Sequence, residues 1–263
     1  MKGRYGVRKK NKKAVVLSIL AVVAAVLVAG TAGVFALCQS WLQDLPDYTN
    51  VDEFNVAKPS TVYASDRTTV LAEFQLENRT PVEYDQVSEL VLKGTVATED
   101  ERFYDHGGVD LMGVARAVVN NLLGGELEGA STITQQFVRN TILSDEMTDI
   151  SFKRKIREMY IALKLEEQYS KDEILLMYLN TINYGSGAYG IEAASERYFS
   201  KHASDLTLVE AATLIGIPQS PTYNNPIDNE ENCLNRRNLV LDRMVSNNVI
   251  TQEEADAAKA DPI

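Results

Sequence analysis

The stretch VDLMGVARAVVNNLL, residues 109–123, decides the fold class of this sequence. Its apolar residues recur at spacings of three and four, which is the period of an α-helix with one apolar face. They are Leu111, Val114, Ala115, Val118 and Leu122. Asp110 stands directly before this periodic segment, where a helix N-cap is expected. The stretch therefore predicts an amphipathic helix.

Three capping boxes mark further helix starts. A capping box pairs a Ser or Thr at the N-cap with a Glu three residues later, so that each side chain bonds the other residue's backbone N–H. The pairs are Ser170 with Glu173, Thr207 with Glu210, and Thr251 with Glu254. Residues 152–169, FKRKIREMYIALKLEEQY, have the pattern of another amphipathic helix. We therefore expect a mainly α-helical domain.

A small β element is expected in front of these helices. Residues 60–65, STVYAS, and 68–75, TTVLAEFQ, alternate apolar and polar positions, and Asp66-Arg67 joins them. Residues 39–59, with two prolines, are typical of a polar linker. The helical domain is therefore predicted to span residues 60–263.

The N-terminal segment has the composition of a membrane span. Residues 14–38 form an uncharged, largely apolar run of 25 residues, and about 20 suffice to cross a bilayer as a helix. Residues 1–13 carry seven cations and no acid, which places this tip in the cytoplasm and the chain beyond residue 38 outside. A cleaved signal peptide is the alternative, although its apolar core is usually about 7–15 residues.

Composition and missing motifs exclude several classes of function. The net charge of −11 argues against general nucleic-acid binding, which needs a basic surface. The sequence has no HExxH, no P-loop motif and no Ser followed three residues later by Lys. Cys38 and Cys233 form no disulfide framework. Gly185 to Gly190 satisfies GxGxxG, but a helix is expected before it instead of a strand. This favours a turn whose backbone packs closely or approaches a substrate over a nucleotide site.

Three segments carry side chains suited to chemistry. Residues 98–110, TEDERFYDHGGVD, place acids beside aromatics and His106. Residues 129–140, GASTITQQFVRN, are dense in neutral hydrogen-bonding groups, which suits an amide-rich sugar or a plain polar helix face. The helix at 152–169 begins with four cations around Glu158. These cations fit a clamp for phosphate, or a solvated face with i,i+4 pairs such as Arg154–Glu158.

These segments carry a resemblance to a known family. The chain resembles the peptidoglycan glycosyltransferases, which are the polymerase module of class A penicillin-binding proteins and its monofunctional relatives. Five motifs occur in order, from about residue 60 to the end. They are EDxxFxxHxG at 99–108, GxSTxTQQxx[KR]N at 129–140, RKxxExxxA at 154–162, YLNxxxYGxGxxGxxxAxxxYF at 178–199, and EAAxLxxxPQxPxxYNP at 210–226, followed by Arg236-Arg237. The resemblance implies a lysozyme-like, two-lobed helical domain.

The resemblance also implies a reaction and roles for particular residues. The family joins lipid II units into glycan strands: the acceptor GlcNAc 4-hydroxyl attacks the donor MurNAc C1, with inversion, and polyprenyl pyrophosphate leaves. By match to the motifs, Glu99 is the general base and Glu158 is the second essential glutamate. Substrate contacts are expected from Asp100, Ser131, Thr132, Gln135, Gln136, Arg139, Arg154 and Lys155, and structural roles from Phe103, His106 and Gly129.

The resemblance further implies a cofactor, a location and partners. Mg²⁺ or Mn²⁺ is expected on the pyrophosphate, and Glu158 either holds this ion or orders the basic side chains around it. The chain is expected to be a single-pass protein of the bacterial cell membrane with an extracytoplasmic catalytic domain. Its partners are expected to be lipid II, the growing lipid-linked strand, the membrane and other cell-wall synthesis proteins, with no nucleic acid. The apolar stretch 111–123 is either core or a segment that enters the membrane interface.

Three alternatives stay open at this point. A lytic transglycosylase or lysozyme-like hydrolase also uses a helical fold and a catalytic Glu, although hydrolysis needs no pyrophosphate clamp. A non-catalytic membrane scaffold is the other class, and the presence of Glu99 and Glu158 argues against it. The last residues, TQEEADAAKADPI, are typical of a helix that begins a connection. The chain is then either a monofunctional enzyme or the front part of a bifunctional one.

Overall fold

The structure is a computed structural model that describes residues 12–49, 51, 60–74, 78–122, 124 and 131–263. The chain divides into two compact units, Met1–Leu45 and Pro46–Ile263. Gly129 and residues 50 and 52–59 of the predicted linker lie outside the described residues. Both cysteines are free thiols, and burial raises the pKa of the Cys233 thiol to about 11.

The first unit consists mainly of helix α1, Lys12–Trp41. Within the described part of the chain, α1 from Val16 to Trp41 is the one helix that is long and apolar enough to cross a membrane. A signal sequence near an N-terminus has the same length and composition, so the alternative drawn from the sequence stays open.

The second unit begins with two short β elements. Strands β1, Ser60–Tyr63, and β2, Val70–Phe74, pair antiparallel with Ser60 opposite Phe74. Asp66 closes the turn by accepting hydrogen bonds from the backbone N–H groups of Thr68 and Thr69 at 3.0 and 2.9 Å. Strand β3, Asn78–Arg79, pairs in parallel with β4, Ala188–Tyr189. The predicted hairpin is present, with shorter strands than the sequence suggested.

Nine helices make up the rest of the described second unit. They are α2 (Glu89–Glu99), α3 (Leu111–Leu122), α4 (Ile133–Asn140), α5 (Phe152–Glu166), α6 (Lys171–Thr181), α7 (Ile191–Phe199), α8 (Leu208–Gly216), α9 (Glu230–Ser246) and α10 (Gln252–Ala260). The three predicted capping boxes start α6, α8 and α10. The prediction of a mainly α-helical domain with a small β element behind one apolar helix is confirmed.

One buried apolar cluster holds the ends of several helices together. It lies between α8, α9 and α10, and its members are Ala212, Ile215, Val240, Leu241, Met244, Ala255 and Ala258. Helix α2 packs against α8 and α9 and approaches them closely at Gly94, where a Cβ would come within 2.6 Å of Ile215 Cδ1. This packing matters for the site because α2 ends in Glu99 and α9 carries Arg236.

Candidate active site

Glu99 lies at the point where helix α2 ends. Asp100 leaves the helical conformation at φ −160° and ψ 75°, so Glu99 is the last residue of the helix. Its Oε2 accepts a 2.8 Å hydrogen bond from Gln136 Nε2 of α4, and its Oε1 lies 3.3 Å from Arg236 Nη2 of α9. The Glu99 side chain is 12% exposed. The carboxylate is thus held by one neutral and one cationic donor from two other helices.

A buried tyrosine fixes the orientation of the Gln136 amide. The Tyr178 hydroxyl donates to Gln136 Oε1 at 3.3 Å. Burial, and after it the negative charge of Glu99, raises the pKa of Tyr178 well above its usual range, so the hydroxyl keeps its proton. Because Oε1 accepts from Tyr178, the amide presents Nε2 to Glu99. Tyr178 and Arg236 belong to the motifs quoted above, but no pattern in the sequence placed them beside Glu99.

Asp100 connects the turn after α2 to the beginning of α4. Its carboxylate oxygens lie 2.9 and 3.0 Å from His106 Nε2, and Oδ2 also accepts from the Ile133 backbone N–H at 3.1 Å. Phe103 is fully buried and packs edge-on against the His106 ring, with centroids 6.3 Å apart. Asp100 and His106 therefore stabilise the turn that directly follows Glu99.

The backbone carbonyl of Gly108 is the hydrogen-bond acceptor for two polar side chains of the second motif. Its carbonyl accepts hydrogen bonds from Thr132 Oγ1 at 2.7 Å and Gln135 Nε2 at 3.3 Å. Gly108 has φ +84°, and a Cβ there would lie 2.8 Å from the Ala162 carbonyl carbon, so only glycine fits. Thr132 also caps α4 by accepting from the Gln135 N–H at 3.2 Å. Thr132 and the Gln135 amide N–H₂ thus have internal partners, and their contact with substrate stays a prediction.

A second carboxylate, Glu158, lies among cations on helix α5. Its Oε1 is 2.5 Å from Lys155 Nζ and its Oε2 is 3.3 Å from Arg154 Nη1. The Glu158 side chain is 1% exposed. These partners stand three and four residues earlier on the same helix, which is the spacing that brings side chains together on one helix face.

Lys155 joins this cluster to the second motif. Its ammonium also donates to Ser131 Oγ at 3.0 Å and to Gln135 Oε1 at 2.6 Å. Burial lowers the pKa of Lys155, Glu158 opposes this change, and the charges of Arg139 and Arg154 add to it. Arg139, Arg154 and Lys155 thus place three positive charges close together, which favours the binding of a negatively charged group there.

Arg139 has an electrostatic effect on residues beside Glu99 and on residues beside Glu158. It is half-buried, and among the described residues it has no hydrogen-bond or ion-pair partner. Its charge nevertheless lowers the pKa values of both Lys155 and Tyr178. Of the other two cations at the start of α5, Arg157 is instead buried against Glu146 at 3.1 Å, and Lys153 is exposed to solvent. The unpaired cation of the site is therefore Arg139 within the part of the chain that the structure describes.

The glycine-rich turn at 185–190 is structural. Gly185 and Gly190 have φ of +77° and +86°. A Cβ would lie 2.6 Å from the Pro221 oxygen at Gly185 and 2.7 Å from the Asn180 oxygen at Gly190. The preceding element is helix α6. The close packing of this turn is confirmed, and an approach of its backbone to a substrate stays a prediction.

Comparison with known proteins places this geometry in context. A family model described as Transglycosylase matches residues 67–245. The chain is 39% identical over 238 residues to penicillin-binding protein 1A of Vibrio cholerae, covering 90% of this chain and 28% of that protein. It is 42% identical over 236 residues to penicillin-binding protein 1A/1B of Bacillus subtilis, covering 88% and 25%. The chain thus spans between a quarter and a third of the length of these relatives.

A solved structure is also similar. The crystal structure of penicillin-binding protein 1A from Haemophilus influenzae matches with a TM-score of 0.45 and 26% identity, over 78% of this chain and 21% of that one.

Proposed function

The chain belongs to the transglycosylase family, and we propose that it is a peptidoglycan glycosyltransferase that polymerises lipid II into glycan strands. The donor is the growing strand, linked through pyrophosphate to a polyprenyl lipid, and the acceptor is lipid II. The new bond joins the acceptor GlcNAc O4 to the donor MurNAc C1. The bond between C1 and the pyrophosphate oxygen breaks, and the hydroxyl proton passes to a protein base.

One observation carries this proposal. Two consecutive residues of α4 contact the two carboxylate clusters: Gln136 bonds to Glu99, and Gln135 bonds to Lys155, which pairs with Glu158. Helix α4 thus connects the Glu99 carboxylate, which is held by one neutral and one cationic donor, to a group of cations that can bind an anion. Transfer of a sugar from a pyrophosphate needs a base for the hydroxyl and positive charge for the leaving group, and these two clusters supply them.

We assign the base to Glu99. The side chain is largely withdrawn from solvent, and Gln136 and Arg236 hold its two oxygens in fixed directions. A positioned carboxylate of this kind takes the acceptor proton as the sugar–sugar bond forms. Attack from the face opposite the leaving group inverts C1.

Charge on the departing pyrophosphate is stabilised by Lys155, Arg154 and Arg139. Lys155 and Arg154 are held in place by Glu158, and Arg139 has no partner among the described residues. Cationic donors that are already oriented stabilise developing charge without reorganising at the moment of reaction. Ser131, Thr132, Gln135 and Gln136 are the neutral groups proposed to contact sugar and phosphate oxygens, and each also has a hydrogen-bond partner within the protein.

A divalent cation stays part of the proposal in a limited form. Glu158 is the carboxylate that would hold Mg²⁺ or Mn²⁺, but both of its oxygens contact cationic side chains. Mg²⁺ is commonly bound by one or two carboxylates with substrate phosphates and water supplying the rest. The protein side chains fit such a cation only together with the pyrophosphate, where it would add positive charge to the leaving group.

Attachment to the membrane is supported by two separate features. Helix α1 has the length and composition of a membrane span, and the cations of residues 1–13 favour a cytoplasmic N-terminus. In the second unit, Leu111 is 72% exposed on α3 and Ile150 is 97% exposed just before α5. Exposed apolar side chains of this kind suit contact with the membrane interface, where the lipid-linked substrates and other cell-wall synthesis proteins are expected.

Two substrates separate this function from its alternative. We expect the detergent-solubilised chain to convert fluorescent lipid II into polymer and to release no fragments from finished peptidoglycan. Fragments from peptidoglycan with no polymer from lipid II would instead establish a lytic transglycosylase or hydrolase. Binding of lipid II without turnover, in the presence of Mg²⁺, would support the scaffold interpretation.

A further inference from the structure

A cluster of metal-binding side chains lies outside the candidate active site, on helix α7 and the connection that follows it. Glu192, Glu196 and His202 each offer a donor atom, and the three atoms lie within 4.8 Å of one another. Glu192 and Glu196 stand one helix turn apart, so both carboxylates project from the same face of α7. His202 follows the helix in the connection to α8. The cluster thus combines two oxygen donors and one nitrogen donor.

The backbone folds back at Ser200 to bring His202 over the helix. Ser200 adopts the left-handed conformation, with φ 54° and ψ 40°, and ends α7. After this turn, His202 Nδ1 lies 2.6 Å from Glu192 Oε1, and the Ala203 backbone N–H donates to Glu192 Oε2 at 2.8 Å. The position of His202 is therefore set by the same turn that ends the helix.

The cluster has an inner anchor and an open side. Glu192 is buried and its orientation is fixed by the Ala203 N–H, which resembles the hydrogen bonds that orient metal ligands in proteins. His202 is 73% exposed at its side chain and Glu196 is exposed, so an ion from solvent reaches the cluster directly. The neighbouring cation Lys201 is already paired with Glu210 at 2.8 Å.

We propose that Glu192, Glu196 and His202 form a binding site for a divalent transition-metal ion of the Zn²⁺ class. Zn²⁺ accepts imidazole nitrogen and carboxylate oxygen, and three protein ligands leave a fourth position for water. Tetrahedral Zn²⁺ with ligands at about 2.0–2.2 Å separates two donor atoms by about 3.3 Å. His202 Nδ1 and Glu192 Oε1 therefore move apart slightly as the ion enters, which an exposed imidazole permits.

Binding replaces one hydrogen bond by coordination. In the neutral imidazole the proton moves from Nδ1 to Nε2, and the Nδ1 lone pair binds the ion. The ion then joins the Glu192 and Glu196 side chains of α7 to the connection leading into α8. This site is independent of the proposed glycosyl transfer, since it contains none of the residues assigned to that reaction.

Histidine signals give a direct test because the chain has two histidines, His106 and His202. His106 is enclosed beside Asp100, so an ion bound at α7 has to affect His202 and not His106. We expect substoichiometric Co²⁺ to broaden one of the two imidazole signals in the ¹³C-histidine-labelled full chain in detergent. His202→Gln identifies the signal. Broadening of both signals equally, or of neither, would overturn the proposal.

Calorimetric titration with Zn²⁺ tests whether Glu196 and His202 contribute to metal binding. We expect one site per chain whose affinity falls by more than about tenfold in Glu196→Gln and in His202→Gln, since even partners outside the coordination sphere contribute about 10–100-fold. Glu253→Gln, which removes an exposed acid from α10, is the matched control. Equal affinity in the wild type and both cluster variants would overturn the proposal, because any remaining binding then belongs elsewhere, such as at Glu158.

Discussion

Glu99 and Glu158 are both enclosed carboxylates with cationic partners, yet they are held in opposite ways. Glu158 is paired with Arg154 and Lys155 of its own helix. Glu99 is held by Gln136 and Arg236, which are 37 and 137 residues away in the chain. One environment is local and densely cationic, and the other is assembled from three helices around a single neutral amide and a single guanidinium.

The difference suits the two tasks proposed for them. A base has to accept a proton, so it needs a fixed direction without many competing cations. A carboxylate that organises phosphate-binding cations does the opposite, since it remains paired and keeps those cations in place. The comparison therefore predicts that removing the charge of Glu99 affects mainly chemistry, since one cation loses its partner, whereas removing that of Glu158 affects chemistry and stability together.

The largest effect is expected from Glu99→Gln. The amide keeps the shape of the side chain but takes no proton, so polymer formation from lipid II falls by about 10²–10⁴-fold. The thermal midpoint falls less than in Glu158→Gln, because one cation loses its charged partner instead of two. Glu101→Gln, two residues later and ion-paired with Arg116 at the surface, is the matched control and keeps activity. Polymer at the wild-type rate from Glu99→Gln would remove Glu99 as the base.

Glu158→Gln is expected to lower both activity and stability. Arg154 and Lys155 lose their charged partner in a largely buried setting, which costs about 1–3 kcal/mol in the free energy of unfolding. Activity falls by about 10²–10³-fold because the cations are no longer held in place. Activity and urea unfolding measure the two effects.

A pair at the C-terminal end of the same helix, with Glu167 as its C-cap, supplies the control. Lys164 and Glu167 have the same i,i+3 spacing as Lys155 and Glu158, but Glu167 is solvent-exposed. Glu167→Gln should change neither quantity, since exposed pairs contribute about 0–1 kcal/mol. If Glu99→Gln and Glu158→Gln lower stability equally, the distinction between the two carboxylates is wrong.

Arg236→Ala is expected to lower kcat with little change in KM. Arg236 contacts Glu99 and has no assigned contact with substrate, so its loss misplaces the base, by up to about 10²-fold in rate. Arg236→Lys should restore part of kcat, and Arg243→Ala, an exposed cation on the same helix, should have no effect. A rise in KM at constant kcat would instead place Arg236 in substrate binding.

The smallest effect at neutral pH is expected from Lys155→Arg. Burial is the main cause that lowers the pKa of Lys155 from its ordinary 10.5, so this ammonium loses its proton at a lower pH than an exposed lysine does. The kcat should therefore fall as pH rises through that pKa. A guanidinium stays charged, so the alkaline limb moves to higher pH in Lys155→Arg.

Profiles of kcat against pH for the two proteins test this shift. Lys164→Arg is the control, because Lys164 pairs with exposed Glu167 outside the site. Unchanged alkaline limbs in all three proteins would show that the charge of Lys155 does not limit the rate.

Much of the fold was predictable because its signals are local. The capping boxes at Ser170, Thr207 and Thr251 involve partners three residues apart, and all three are present. Helix ends were less predictable: α5 stops at Glu166, three residues before the predicted end. The position of a helix end depends on which backbone groups find partners in the folded protein, which a periodic pattern does not contain.

In the candidate site, too, local contacts were predictable from the sequence and long-range contacts were not. Glu158 and its cations share one helix, so their spacing was visible in the sequence. Gly108 was visible as a glycine, but the need for glycine there comes from the approach of Ala162 from α5, and its carbonyl meets Thr132 and Gln135 only in the folded protein. The roles assigned to the site residues stay predictions until the variants above are measured.

The sequence by itself determined the helices, the apolar N-terminal segment, the family and the identity of the two carboxylates, because each depends on residues close together or on ordered motifs. The tertiary structure alone decided what surrounds Glu99. Helix α2 packs on α9 through the cluster around Met244, and this packing brings Arg236 across 137 residues to the carboxylate. Contacts between distant helices depend on how whole faces pack, and no local pattern specifies which two side chains then meet.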